Sequence, residues 1–235
     1  LKNIYKTFNP GTINEKVALN GLNLTLNEGD FVTVIGGNGA GKSTMLNAVA
    51  GTWMVDEGQI LIDGIDVTKL SEHKRATYLG RVFQDPMTGT AATMGIEENL
   101  ALAKRRGKSR LLRSGITKAE REEYKELLKI LGLGLEDRLT SKVGLLSGGQ
   151  RQALTLLMAT LQKPKLLLLD EPAAGMNPNE TGELMDTIQF VCKNFDMTVL
   201  LIEHDMKLVS GICQKLTVLN FGQVLAQGKT SDVLN

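Results

Sequence analysis

The chain has few cysteines, few aromatic residues and almost no excess of charge. Its two cysteines, Cys192 and Cys213, show no metal-ligand spacing, so we expect reduced thiols in a cytosolic protein. Aromatic residues make up 4% of the 235 residues, and the formal net charge is +1. We therefore expect neither a basic nucleic-acid-binding face nor an aromatic platform for bases.

Long hydrophobic runs are also missing. No apolar run reaches the ~18–20 residues that span a bilayer, and no basic-then-apolar leader opens the chain. The first residue, Leu1, is not methionine, so we expect trimmed ends. With 42% hydrophobic and 23% charged residues, the composition is typical of a soluble protein with one core, or a core with a smaller lobe.

Short apolar strands alternate with helices near both ends of the chain. The patterns predict strands at 31–35, 79–83, 165–169, 198–202 and 216–219, and a helix at 43–50. In the middle, 119–131 has apolar residues at helical spacing, and the basic run 104–110 is interpreted as a solvated face. The sequence thus predicts an α/β core interrupted by a mainly helical insertion.

A glycine-rich segment links the first predicted buried strand to the helix that follows. It fits G-x-x-x-x-G-K-[ST] and comprises Gly36, Gly37, Asn38, Gly39, Ala40, Gly41, Lys42, Ser43 and Thr44. Glycines let successive N–H groups point at phosphate oxygens, and the helix start adds its positive dipole end. Lys42 would reach the β- and γ-phosphates of ATP, and the Ser43 hydroxyl would coordinate Mg²⁺.

Two adjacent carboxylates end a later buried strand. Asp170 and Glu171 follow four leucines, and strand alternation would send their side chains in different directions. Asp170 suits the Mg²⁺ shell, whereas Glu171 suits the position that polarises the attacking water. Together with the phosphate loop, this pair indicates nucleotide hydrolysis.

A second glycine pair stands about twenty residues before the Asp–Glu strand. The segment Leu146-Ser147-Gly148-Gly149-Gln150 resembles the signature of the ABC ATPase family. Ser147 would also cap the following helix, which uses the same N–H donors as phosphate binding. The resemblance implies that Ser147, Gly148, Gly149 and Gln150 meet the γ-phosphate held by an opposite subunit, so that two chains enclose two ATP molecules.

Other positions resemble the family one by one. Gln84 looks like the lid glutamine that touches Mg²⁺ and water, and His204 looks like the switch histidine that contacts the γ-phosphate. Phe8 stands where the family has an adenine-stacking ring, with Tyr5 as the nearby alternative. Asn177 replaces the usual aspartate after Pro172, which keeps a hydrogen-bonding side chain but loses its charge.

The resemblance covers essentially the whole chain and implies a fold. We expect a P-loop NTPase (RecA-like) α/β core with an N-terminal antiparallel β subdomain and an inserted α-helical subdomain. One ABC ATPase domain would span 1–235. Its nucleotide-binding core would comprise about 1–84 and 162–235, and its helical part about 85–161.

Two groups of amino-acid importer ATPases share this resemblance. The first 170 or so residues look like the tryptophan/tyrosine type, and the segments after Glu171 look like the branched-chain type. The chain is either a natural or constructed mosaic or a member between the groups.

The family implies a homodimer or paired ATPase subunit at the cytoplasmic face of the membrane, bound to permease subunits and working with an extracytoplasmic solute-binding protein. An exporter or lipoprotein-release ATPase, and a soluble ABC switch protein, are the alternatives. Long coiled-coil insertions or a second cassette, which are usual in the soluble switch proteins, are missing here.

Overall fold

The computed structural model describes residues 1–108, 115–195 and 197–233. The strands are β1 (Lys2–Phe8), β2 (Lys16–Leu22), β3 (Phe31–Ile35), β4 (Glu57–Gln59), β5 (Leu61–Ile62), β6 (Ile65–Asp66), β7 (Leu79–Val82), β8 (Leu166–Asp170), β9 (Thr198–Ile202), β10 (Lys215–Asn220) and β11 (Gln223–Lys229). The helices are α1 (Lys42–Ala50), α2 (Glu72–Arg75), α3 (Ile96–Lys104), α4 (Lys118–Lys129), α5 (Gly148–Thr160), α6 (Pro178–Phe195), α7 (Met206–Ile212) and α8 (Thr230–Val233). Ser109 and Arg110, at the end of the basic run, lie outside the described residues.

The chain forms two compact units. The first contains 1–80, 165–171 and 196–235, and the second contains 81–164 and 172–195. The sequence-based boundary of the helical part, 85–161, stays a prediction, and the second unit differs from it by also including 172–195. Within the described ranges, no helix combines the length and the apolar character needed to cross a membrane.

The first unit is built on two main sheets. Strands β2, β1 and β4 form an antiparallel sheet, and the six-stranded sheet has the order β11-β10-β3-β9-β8-β7. Strands β10, β3, β9 and β8 are mutually parallel, and β11 is antiparallel to β10. This arrangement confirms the predicted α/β class with an antiparallel part near the N-terminus.

Strands β3, β8 and β9 are almost wholly apolar, as is typical of parallel strands that are buried on both faces of a sheet. Their carboxyl ends meet at one edge, as they do in open α/β sheets, and ligands bind there in such folds. The segments that follow these ends begin at Gly36, Glu171, Glu203 and Phe221. The fold therefore gathers the predicted phosphate loop and the Asp–Glu pair at one edge.

The second unit is helical, as the amphipathic middle of the chain predicts. Its core joins α3, α4 and α5 through buried residues that include Leu100, Tyr124, Leu128, Leu154 and Leu157. Helix α4 begins in a reciprocal capping box between Thr117 and Glu120, which satisfies two N–H groups at the helix start.

Candidate functional site

The glycine-rich loop leads from β3 into α1 with a backbone that other residues cannot easily adopt. Gly41, at the N-cap of α1, has φ 103°. A Cβ there would stand 2.6 Å from the carbonyl oxygen of Ala18. A Cβ on Gly36 would stand 2.4 Å from the carbonyl oxygen of Leu219. The glycines at these two positions are therefore required by close backbone approach as well as by conformation.

Neighbouring strands hold this loop in place. The Ala40 carbonyl accepts a 2.9 Å hydrogen bond from Gly222 N–H, and the Gly222 carbonyl accepts one of 3.0 Å from Asn20 N–H. Within the loop, Ala40 N–H donates to the Gly37 carbonyl at 3.1 Å. Ties to the β10–β11 turn and to β2 thus fix the loop before any ligand binds.

The start of α1 is suited to an anion. It carries no side-chain cap and no acidic residue in its first turn. Lys42 folds back over the loop, and its Nζ donates to the carbonyls of Gly36 at 2.7 Å and Gly37 at 3.3 Å. Ser43 is exposed beside it. The N-terminus of α1, the Lys42 ammonium group and the exposed Ser43 hydroxyl are the groups from which a phosphate site is built.

Asp170 and Glu171 differ in backbone conformation, which strand alternation does not predict. Asp170 is the last residue of β8, whereas Glu171 has φ 43° and leaves the strand in the left-handed region. Glu171 N–H donates to the Ile202 carbonyl at 3.0 Å, which holds this turn against β9. Non-glycine residues held in this region cluster at functional sites.

His204 lies beside Glu171 at the carboxyl end of β9. Its Nδ1 is 3.8 Å from Glu171 Oε1 and 3.9 Å from Glu203 Oε2. Both separations exceed a direct hydrogen bond, so the imidazole and Glu171 can close on a third group. The His204 side chain is 66% exposed and that of Glu171 is 24% exposed. The structure thus brings together Glu171, which was predicted to polarise the attacking water, and His204, which resembles the switch histidine of the family.

Glu203 is a carboxylate that the sequence analysis did not assign. It is buried, and burial raises its pKa, although hydrogen bonds from the backbone N–H groups of His204 and Asp205 act the other way. The first of these bonds, from His204 N–H to Oε2, is 3.0 Å long. Among the described residues, Oε1 has no hydrogen-bond partner. Its signal in the sequence is a carboxylate that directly follows a wholly apolar strand.

The two candidate adenine rings have different surroundings. Phe8 meets Trp53 edge to face, with ring centroids 5.4 Å apart and an interplanar angle of 83°. Lys6 Nζ lies 5.7 Å from the Phe8 ring centroid and 2.7 Å from Asp56 Oδ1. The Tyr5 hydroxyl covers Gly21 instead and would stand 2.9 Å from a Cβ there.

The second unit contains Gln84 and the signature segment. Gln84 is exposed just after β7. Ser147 caps α5 in a reciprocal box, since its Oγ accepts from Gln150 N–H and Gln150 Oε1 accepts from Ser147 N–H, both at 3.2 Å. Among the described residues, and apart from the chain neighbours and the backbone of α5 itself, no heavy atom lies within 4 Å of a Cβ built on Gly148 or Gly149. The capping interpretation is therefore correct, and the glycines leave an open surface at the helix start.

Asn177 also acts as a helix cap. Its Oδ1 accepts from the N–H groups of Asn179 at 3.1 Å and Glu180 at 3.0 Å, and Glu180 Oε2 accepts from Asn177 N–H at 3.3 Å. An amide oxygen makes these bonds as an aspartate would, so the start of α6 does not require the missing charge.

Sequence comparison finds relatives over the full chain. A profile of the ABC transporter family matches residues 19–174. A tyrosine transport ATP-binding protein from Clostridioides difficile is 36% identical over 240 residues, which cover 100% of this chain and 93% of that protein. The high-affinity branched-chain amino acid transport ATP-binding protein BraF from Pseudomonas aeruginosa is 36% identical over 225 residues, with coverages of 92% and 88%.

Some relatives are longer than this chain. The chain spans 58% of the methionine import ATP-binding protein MetN from Rhizobium johnstonii, at 34% identity over 220 residues. Among solved structures, the dimeric post-hydrolysis state of the ATP-binding cassette MJ0796 bound to ADP and Pi matches with a TM-score of 0.81. The two are 29% identical, and the match covers 97% of each chain.

Proposed function

The chain belongs to the ABC transporter family as an ATP-binding and ATP-hydrolysing protein, and from that premise we propose that it powers the import of an amino acid. The observation that carries the proposal is the match to a tyrosine transport ATP-binding protein along 100% of this chain and 93% of the relative. The match to BraF, a branched-chain amino acid transport protein, supports the same solute class.

The proposed assembly has two ATPase subunits on one side of the membrane and a solute-binding protein on the other. Either two copies of this chain or one copy and a paired ATPase subunit bind permease subunits at the cytoplasmic face of the membrane. An extracytoplasmic solute-binding protein delivers the amino acid from the other side. The solved relative is dimeric, which supports pairing.

ATP is held between the paired subunits in this proposal. Residues 36–44 of one subunit cradle the phosphates, and Ser147 to Gln150 of the other complete the site from the opposite side. Glu171 orients the water for in-line attack on the γ-phosphate, and His204 fixes the geometry of that phosphate. Phe8 stacks on adenine in this proposal, with the Trp53 ring beside it.

The donors at the edge of the sheet fit Mg²⁺. Ser43 and Asp170 offer a hydroxyl and a carboxylate, the hard oxygen ligands that this ion prefers, and α1 packs against β8. The described residues contain no group of three or more His, Cys, Asp or Glu side chains that could form a complete protein site. That agrees with Mg²⁺, which relies on substrate phosphates and waters for its remaining ligands. Gln84 would join this shell, and the ion would neutralise charge that develops on the phosphates.

A two-step experiment tests the proposal. The detergent-solubilised complex is first captured from native membranes through a tag on this chain, and its components are identified by mass spectrometry. We expect a multi-span membrane subunit and a solute-binding protein. Uptake of labelled amino acids is then measured with the wild type, Glu171→Gln and the exposed control Asp186→Asn. Import that Glu171→Gln abolishes and Asp186→Asn retains supports the proposal, whereas recovery of only soluble or ribosomal partners contradicts it.

A further inference from the structure

Gln152 is a fully buried polar residue near the start of the signature helix. Its side chain has 0% exposure, and its Nε2 donates a 3.0 Å hydrogen bond to the carbonyl of Phe83. Within the described part of the chain, its Oε1 has no partner. A buried acceptor without a partner lowers stability, and such groups in native proteins call for an explanation.

The carbonyl that Gln152 binds belongs to the peptide bond leading into Gln84. Because this bond is planar, a restraint on its oxygen also restrains the N–H and Cα of Gln84. The Phe83 ring is held from another side, since the Arg81 guanidinium lies 4.5 Å from its centroid. The backbone of Gln84 is thus fixed on its N-terminal side, while its side chain remains exposed.

The first two turns of α5 also contact the segment 83–89 at two further points. A Cβ on Gly89 would stand 2.6 Å from Thr155 Cγ2, so the chain passes closely over the helix there. The Arg151 guanidinium contacts the Met87 sulfur and donates to the Gly144 carbonyl at 3.1 Å. Residues 83–89 and the start of α5 are therefore packed as one piece.

We infer that Gln152 is a positioning residue, which fixes the backbone of Gln84 against helix α5 through its hydrogen bond to the Phe83 carbonyl. The inference rests on the role proposed above for Gln84. Ser147 stands five positions before Gln152, and Gln150, which completes its capping box, begins the same helical turn.

The test is a double-mutant cycle on the ATPase rate of the purified full chain. The variants are Gln152→Leu, Gln84→Ala and the pair together. We expect Gln152→Leu to lower kcat about tenfold, a loss of the size expected when a buried hydrogen bond is removed. In the Gln84→Ala background, the same change should lower kcat by less than about twofold, because the group it positions is gone.

Gln162 provides a matched control. Its Nε2 also donates to backbone carbonyls, those of Ala103, Lys104 and Arg106, at the far end of α5 and away from Gln84. Gln162→Leu should lower the melting temperature as Gln152→Leu does, but should leave kcat within about twofold of the wild type. A Gln152→Leu variant that changes only the melting temperature, or that lowers kcat equally in both backgrounds, would overturn the inference.

A second variant and a second readout guard against misfolding. Gln152→Met keeps an unbranched chain of similar length but cannot donate, and hydrogen exchange then reports on the Gln84 amide. We expect faster exchange at 83–85 in Gln152→Met and none of this change in Gln162→Leu; unchanged exchange contradicts the inference. A wild-type rate in Gln84→Ala would instead refute the proposed role of Gln84, so the two failures are distinguishable.

Discussion

At the scale of single residues, Glu171 occupies a backbone conformation with positive φ that residues other than glycine rarely adopt. Its φ of 43° and its N–H bond to Ile202 turn the side chain away from the strand direction and toward His204. Strain of about 1–3 kcal/mol at such a position persists only where the surrounding structure holds it. Here β8 and β9 supply that support.

Glu171→Gln tests the role of this carboxylate. The amide preserves the shape and backbone of Glu171 but cannot orient and polarise the attacking water, so we expect kcat to fall at least about 100-fold. ATP binding should remain within a few-fold of the wild type, because the phosphate loop is untouched. Steady-state ATPase assays and equilibrium binding of ATP measure the two effects. Turnover at the wild-type rate would refute the assignment.

Phe8 and Trp53 allow a direct test of adenine stacking. Trp53 is the only tryptophan of the chain, and it meets the Phe8 ring edge on. We expect ATP to change Trp53 emission and Phe8→Ala to weaken ATP binding about tenfold, since base stacking on an aromatic ring contributes on that order. Tyr5→Leu serves as the comparison. If Tyr5→Leu weakens binding and Phe8→Ala does not, Tyr5 is the stacking ring.

At the scale of secondary-structure elements, the sequence predicted where strands and helices lie along the chain better than it predicted which elements contact each other. The apolar runs correctly placed β3, β8 and β9, because strands buried on both faces leave a continuous hydrophobic signal. Their order in the sheet depends on long-range contacts, which a single sequence does not contain. The bond from Gln152 to Phe83 joins residues 69 positions apart and could not be predicted for the same reason.

In the candidate site too, some features were predictable from sequence patterns and others depend on tertiary contacts. The phosphate loop was recognisable because its glycines and Lys42 recur at fixed spacing, and the structure gives the physical need for Gly41 in the φ of 103° and the nearby Ala18 carbonyl. The left-handed turn at Glu171 and the buried Glu203 follow from tertiary contacts with β9 and from burial. Neither leaves a pattern that periodicity can detect.

Gly41→Ala should damage the phosphate loop. The added Cβ would lie 2.6 Å from a backbone oxygen at an unfavourable φ, so the loop must shift. We expect the affinity for ATP to fall more than about tenfold and the free energy of unfolding to fall by about 1–3 kcal/mol. Gly182→Ala is the control, because this glycine lies within α6 and a Cβ built on it meets no heavy atom within 4 Å in the described part of the chain beyond its neighbours and the helix backbone. That variant should unfold with equal or slightly higher stability.

The ion pair between Asp30 and Lys215 links the entrance of β3 to the start of β10. Lys215 Nζ lies 2.6 Å from Asp30 Oδ2, and Asp30 is 13% exposed. Burial alone would raise the pKa of Asp30, but hydrogen bonds from Lys215 and Asn27 and the lysine charge outweigh it and lower that pKa below 3.8. The pair therefore stabilises the fold fully above the ordinary Asp pKa, and the contribution is lost as the pH falls through the depressed value.

Asp30→Asn should reveal this contribution. At pH 7 we expect the free energy of unfolding of the variant to be about 1–2 kcal/mol lower than that of the wild type. This is the contribution expected from a hydrogen bond to a charged group. The difference from the wild type should begin to shrink below about pH 4, where the carboxylate of the unfolded chain takes up a proton, and should go on shrinking as the pH falls through the lowered pKa of the folded state. Urea unfolding between about pH 7 and pH 3 measures both quantities, with the m-value checked for constancy. A difference that stays constant across this range would contradict the ionic origin of the effect.

At the scale of the whole molecule, the two units carry different parts of the proposed ATP site. The phosphate loop, Asp170, Glu171 and His204 belong to the first unit, and Gln84 and the signature segment belong to the second. The formal net charge of +1 gives two copies little reason to repel each other. In the proposed dimer, a γ-phosphate bound by both subunits would supply the differential affinity that a closing switch requires.

ATP should therefore act as the bridge of a dimer. In Glu171→Gln, binding persists without hydrolysis, so we expect a stable dimer with MgATP and a monomer with MgADP, measured by light scattering after size exclusion. Adding Ser147→Arg places a bulky cation on the open start of α5, where the opposite γ-phosphate would dock, and should prevent the dimer while each chain still binds ATP. A Glu171→Gln/Ser147→Arg protein that still dimerises with ATP would show that the signature does not contribute to the interface. Because both variants leave the phosphate loop intact, loss of the dimer with ATP binding retained would assign the defect to the start of α5 and not to the phosphate loop.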